Sequence, residues 1–249
     1  MDDERRIGVE PMSRANETTL LVVPQGAEHR AVLNGLSRVA QKNPDSVLPT
    51  VMPLPIGPES VSQRLQAFHR EQRIPLNAQV MLMGLGGSLV PDLTIGAIAL
   101  FETCVPDWEP QPVALTSAPA LLDWADDRLQ QRASRVRGVT SHSVISTACE
   151  KALLHQRSGA SVVDMEGYSL LQFCQTHGLQ GSVLRVISDN CTHDVPNINS
   201  AISPDGDLKP LPMMAAFFQK PMGAIRLIRG SLTSLSVLTT VTQQLFEPS

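Results

Sequence analysis

Val162-Val163-Asp164-Met165-Glu166-Gly167 and Arg185-Val186-Ile187-Ser188-Asp189-Asn190 are the two stretches that decide the fold. Each is a short β-branched run that ends in acidic residues. Between them Leu170, Phe173, Cys174 and His177 fall at i, i+3, i+4 and i+7, one stripe of a helix, and Gly178 supplies a stop. The spacing predicts strand, helix, strand: a βαβ unit with a parallel sheet. Ligands of open α/β sheets bind beyond the carboxyl ends of the strands. Glu166 and Asp189, both at such ends, are therefore expected to face one pocket.

Working outward, residues 18–23 are apolar and β-branched and read as the first strand, ended by Pro24-Gln25-Gly26. A helix is expected over 27–40, an extended segment over 47–54, and a helix over 59–73. Residues 78–83 are apolar but for Gln79, as in a strand buried on both faces, and run into the Gly-rich turn Gly84-Leu85-Gly86-Gly87. A strand over 95–101, a loop over 106–119, a helix over 121–133, a strand over 134–140 and a helix ending near Gly159 follow. The segment 191–221 is rich in Pro, Asn, Asp and Gly, with a short helical pattern at 213–219, and has the character of a binding loop or lid. An amphipathic helix over 225–246 closes the chain.

The 249 residues suffice for a sizeable core, and 42% apolar with 18% charged residues is a globular balance. Net charge is −4 and no basic run exists, so nucleic acid has no electrostatic footprint. The cysteines, Cys104, Cys149, Cys174 and Cys191, form no CxxC, which argues against a zinc site or disulfide framework and for a cytoplasmic protein. No apolar run approaches a membrane span of about 20 residues, so no membrane partner is expected. Residues 1–17 read as a disordered lead-in to one domain over 18–249.

Met165-Glu166 opening a helix and Ser188-Asp189 ending a strand, in that order and spacing, resemble the nucleoside phosphorylase and nucleosidase family, which includes purine nucleoside phosphorylases and methylthioadenosine/S-adenosylhomocysteine nucleosidases. Gly84-Leu85-Gly86-Gly87, Pro91 and Gly96 match a second family landmark. The resemblance implies a three-layer α/β/α fold around a central mixed, mainly parallel sheet. It also implies cleavage of the N-glycosidic bond of a purine nucleoside, no metal or organic cofactor, and a homo-oligomer.

Such cleavage needs an acid for the departing base, stabilisation of an oxocarbenium-like ribose, and an oxygen nucleophile. By resemblance Asp189 is the acid, which requires a raised pKa that burial supplies. Glu166 holds the ribose hydroxyls and Met165 packs on the sugar. Gly84, Leu85 and Gly86 bring backbone amides to the ribose or acceptor; Leu85 stands where the family often has Ser or Thr, which counts against phosphate. Val144 and Ile145 match the base-pocket pair, with Val144 in place of a common Phe. In the first loop, Glu28 matches a water-activating glutamate, whereas Arg30, with Gly26, suits a phosphate co-substrate. Arg30 inclines the reading to phosphorolysis; hydrolysis and a non-catalytic nucleoside-binding relative are the alternatives. Arg185 is expected to pair with a carboxylate rather than touch ligand.

Overall fold

A computed structural model describes residues 19–203, 205–207 and 209–248. The lead-in expected over 1–17 lies outside them. The strands are β1 (Thr19–Pro24), β2 (Thr50–Leu54), β3 (Gln79–Ser88), β4 (Ile98–Pro106), β5 (Leu115–Thr116), β6 (Ala133–Thr140), β7 (Val162–Asp164) and β8 (Gln180–Asp189). The helices are α1 (Ala27–Lys42), α2 (Pro58–Arg70), α3 (Pro119–Arg128), α4 (Ala148–Ser158), α5 (Gly167–Thr176), α6 (Pro210–Gln219) and α7 (Pro221–Phe246).

All eight strands form one sheet, ordered β2-β1-β3-β7-β6-β4-β5, with β8 joining β3 to β4. Five ladders are parallel and three antiparallel. The sheet is thus mixed and mainly parallel, as expected. Because β8 pairs with both β3 and β4, the strands β3-β7-β6-β4-β8 close into a ring.

Each face of the sheet carries helices. On one side Val61, Leu65 and Phe68 of α2 and Leu170 and Phe173 of α5 pack into a buried cluster. On the other, Val32, Leu36 and Val39 of α1 meet Leu238, Val241 and Leu245 of α7. Each such side chain contributes about 1.5–3 kcal/mol on burial. β1 is buried at every position, which explains its unbroken apolar run. Helix α4 starts on a capping box: Glu150 N donates to Thr147 Oγ1 (3.2 Å), and Thr147 N donates to Glu150 Oε2 (2.9 Å).

Several expectations need correction. β7 and β8 are not a parallel pair, since β8 runs parallel to β3 whereas β7 runs antiparallel to it. Local periodicity identifies strands but not their partners, which long-range packing selects. The Gly-rich stretch is no turn; β3 continues through it to Ser88. Its glycines are demanded by packing, because a methyl on Gly84 would overlap Arg185 Nη1 and Glu28 Oε1. The strand expected over 95–101 is displaced to 98–106, and the supposed loop 106–119 contains β5. Helix α3 stops at Arg128, where Gln130 and Gln131 turn to positive φ. Both terminal helices begin on prolines, earlier than the periodicity suggested, since proline suits a first helical turn.

Candidate active site

The ring of strands brings two chain-distant ends together. In the sheet, Gly87 of β3 is registered with Val163 of β7 on one side and Asp189 of β8 on the other. Above this junction lies a cavity of about 220 Å³. Its lining includes Glu28, Leu85, Gly86, Val144, Ile145, Met165, Glu166 and Asp189. Glu166 and Asp189 do share a pocket, although β7, which precedes Glu166, and β8, which ends at Asp189, run in opposite senses.

The expected residues outside the lining are Gly84, Gly26 and Arg30. Gly84 lies behind the cavity wall, against Arg185 and Glu28. Gly26 is the residue before α1, with φ 97°, a left-handed value that glycine adopts without cost. Arg30 is exposed and borders a separate shallow depression with Arg38 and Leu232. One residue of helix rotates a side chain by about 100°, so Glu28 and Arg30, two apart, point to different surroundings.

Arg185 organises the acidic floor of the cavity. It is fully buried, and its guanidinium donates to Asp164 Oδ2 from Nε (2.9 Å) and Nη2 (2.7 Å) and to Glu166 Oε2 from Nη2 (2.8 Å). Asp164 also accepts Thr140 Oγ1 (2.6 Å) and Gly167 N (2.9 Å). Glu166 accepts Gly57 N (3.3 Å). Glu28 is half-buried as a residue, but its carboxylate end turns inward and accepts Leu85 N (2.6 Å).

One guanidinium faces three carboxylates here, so it cannot neutralise them all. Burial pushes the Glu166 carboxyl up to about 7, against the opposing pull of Arg185. Burial likewise raises Glu28, with Arg185 and the Leu85 amide pulling the other way. A carboxylate whose pKa is raised is better suited to accept a proton from water.

Asp189, expected to be buried, is half-buried and held by two donors. Its Oδ2 accepts the ammonium of Lys151, and its Oδ1 accepts Ser188 Oγ (2.9 Å). Lys151 is fully buried on α4. Sequence reasoning missed this lysine, and its signal is faint: it falls three residues before Leu154 on the buried side of α4.

The segment 191–202 folds over the cavity. Val195 N donates to Ser146 O (2.8 Å), and the Asn199 carboxamide engages Val144 through both main-chain atoms, accepting from N (2.6 Å) and donating to O (3.1 Å). Val144 therefore has its main chain occupied by Asn199. Val195, Ile198 and Ile202 add apolar lining. Asn199 was not foreseen, because nothing local distinguishes it from a loop asparagine. Among the described residues no group of three His, Cys, Asp or Glu side chains is placed to hold a metal ion, and no helix is long and apolar enough to cross a membrane.

Comparison with known proteins follows the same lines. The family model of the phosphorylase superfamily matches residues 76–201, just over half the chain. The fold is similar to that of futalosine hydrolase from Helicobacter pylori, with TM-score 0.67 at 16% identity over 91% of this chain and 96% of that one. It is similar in the same measure to the 5'-methylthioadenosine/S-adenosylhomocysteine nucleosidase of that organism bound to butyl-thio-DADMe-Immucillin-A: TM-score 0.67, 16% identity, 91% and 96% coverage. A variant of the same nucleosidase with 5'-methylthioadenosine in its active site gives TM-score 0.61 at 17% identity over 90% of this chain and 97% of that one. At such identities the likeness concerns the fold. No curated protein sequence matches. The chain belongs to the phosphorylase superfamily, the enzyme family that its Met165-Glu166 and Ser188-Asp189 motifs resemble.

Proposed function

We propose that the protein hydrolyses the N-glycosidic bond of a purine nucleoside, with water rather than phosphate as acceptor. The observation that carries this reading is the Glu28 carboxylate, which lines the same cavity as Glu166 and Asp189 while Arg30 lies outside it. Leu85 lines the cavity where a phosphate-binding hydroxyl is often found in the family. The names of the similar structures, a hydrolase and nucleosidases, agree with it.

In the proposed reaction Glu166 accepts the ribose hydroxyls and so shares in the positive charge that develops on the sugar. Glu28 takes a proton from water as its oxygen reaches the anomeric carbon. Asp189 delivers a proton to the leaving base. Ile56, Leu85, Ile198, Ile202 and Leu227 make the remaining lining largely apolar, which supports a substrate without charge on its 5′ substituent. Adenine release from adenosine and methylthioadenosine is expected in phosphate-free buffer, with less than about a twofold change on adding phosphate. Arg30→Ala should leave that rate unaltered. Release that depends on phosphate, and is lost in Arg30→Ala, would establish phosphorolysis instead.

We also propose a homo-oligomer. Leu211, Met214 and Phe218 of α6 and Met222, Ile225, Ile228 and Leu232 of α7 are exposed, an apolar stretch that isolated chains seldom leave to water. Light scattering should give at least twice the 27.0 kDa chain mass, and Phe218→Glu should lower it. A monomeric mass for the unaltered chain would refute the proposal.

A further inference from the structure

Lys151 carries a role that the family motifs do not announce. It stands on α4, whose start is fixed by the Thr147 and Glu150 capping box directly after the Val144-Ile145 loop. Its side chain is entirely buried, and it donates to Asp189 Oδ2 and to Asn190 O (2.7 Å). A lysine removed from water keeps its charge only beside a counter-charge. Asp189 is the carboxylate in direct contact with it; Asp194 acts on it at longer range. On its own helix Glu150 is engaged in the capping box, and His155 Nδ1 is bonded to Ala160 O (2.7 Å).

Both oxygens of Asp189 thus meet donors, the ammonium at Oδ2 and Ser188 Oγ at Oδ1. At rest the side chain is placed as an acceptor, the reverse of what an acid requires. Of the two donors, the ammonium is the one with a readily dissociable proton.

We propose that Lys151 is the positioning residue of the acid: it stores the proton that Asp189 delivers and holds the carboxylate in the orientation for delivery. The inference rests on the hydrolytic reading above. As the bond from the anomeric carbon to the base breaks, its electron pair passes to the base. Lys151 passes its proton to Asp189, and Asp189 passes it on to a ring nitrogen, so that Asp189 ends as the carboxylate it was at the start. Lys151 is left neutral and regains a proton from solvent when the base departs. Glu28 meanwhile takes the proton from the attacking water and releases it to solvent once the products leave, so that charge and atoms balance over the cycle.

The test compares Lys151→Met and Lys151→Arg with the unaltered chain on two substrates. One is a purine nucleoside; the other is para-nitrophenyl riboside, whose phenolate leaves without needing a proton. Lys151→Met is expected to lower kcat for the purine nucleoside by about 100-fold. KM for it, and kcat for the nitrophenyl riboside, should stay within about threefold. Lys151→Arg keeps the charge and a donor but cannot release its proton, so it should recover less than about threefold of the loss; recovery of about tenfold or more would show that charge alone suffices and overturn the proton-store role. The alkaline limb of the unaltered chain, where the stored proton is lost, should be displaced by about one unit or more in Lys151→Met, which stores none. Equal losses on both substrates with an unmoved alkaline limb would show a structural role alone and overturn the proposal, as would an unaltered kcat. If Lys151→Met does not fold, or the nitrophenyl riboside is not cleaved by the unaltered chain, Lys151→Arg decides: an alkaline limb displaced by about one unit or more from that of the unaltered chain supports the proposal, and an unmoved limb overturns it. Should the unaltered chain release no base from any purine nucleoside, the hydrolytic reading itself fails, an outcome distinct from the others.

Discussion

Asp189→Asn is expected to lower kcat for purine release by about 100- to 10,000-fold, the range that a positioned general acid supplies. Asparagine has nearly the same shape, and its one amide oxygen can accept from Lys151 or from Ser188, but it has no acidic proton to give. The substitution also leaves the ammonium of Lys151 buried without its carboxylate, which costs stability as well as activity. The two effects separate experimentally. Thermal unfolding reports the first, and kcat at a temperature well below the transition reports the second. A folded Asp189→Asn protein with undiminished turnover would remove Asp189 from the acid's place.

The second large effect falls on stability. Arg185→Met takes away the guanidinium that donates to both Asp164 and Glu166. Methionine fills much of the space but leaves two carboxylates enclosed and unpaired. Removing one partner of a buried ion pair costs about 3–5 kcal/mol, which for a chain of this size lowers Tm by roughly 6–20 °C. Scanning calorimetry checks this, and a fall of less than about 2 °C would contradict the reading of Arg185 as the organiser of the site.

The same cluster sets a pH dependence of unusual sign. Glu166 keeps its proton to about pH 7 in the folded chain, against an ordinary value of 4.5. Between those values the folded state binds more protons than the unfolded one, so its stability falls as pH rises and the loss is complete above 7. Glu28, raised by burial as well, acts in the same direction. In the ligand-free protein Tm should therefore be lower at about pH 8 than at about pH 5 by the equivalent of a few kcal/mol. Glu166→Gln should flatten that slope; an unchanged slope would show that the dependence arises elsewhere.

Much of the site was legible because it depends on short motifs. Met165-Glu166 and Ser188-Asp189 each sit where a strand ends, and strand ends can be read from a β-branched run and the residues that stop it. Glu28 and Arg30 could not be ranked in the same way. Both are polar residues in one loop-to-helix junction, and only the helix phase of α1 turns Glu28 into the cavity and leaves Arg30 in water. Lys151 and Asn199 were invisible for a related reason. Their partners, Asp189 and Val144, lie 38 and 55 residues away, beyond any local pattern.

By itself the sequence determined most of the element types, the layered α/β class, the family and the acidic residues at the strand ends. These follow from periodicity and local chemistry, which act over a few residues. Tertiary structure alone decided that β7 and β8 run in opposite senses and that β3 continues through its glycines. It also decided that a buried arginine gathers three carboxylates and that a buried lysine holds the candidate acid. Such pairings are chosen by the burial and charge compensation of the whole folded chain, in which distant groups meet only once the sheet has closed.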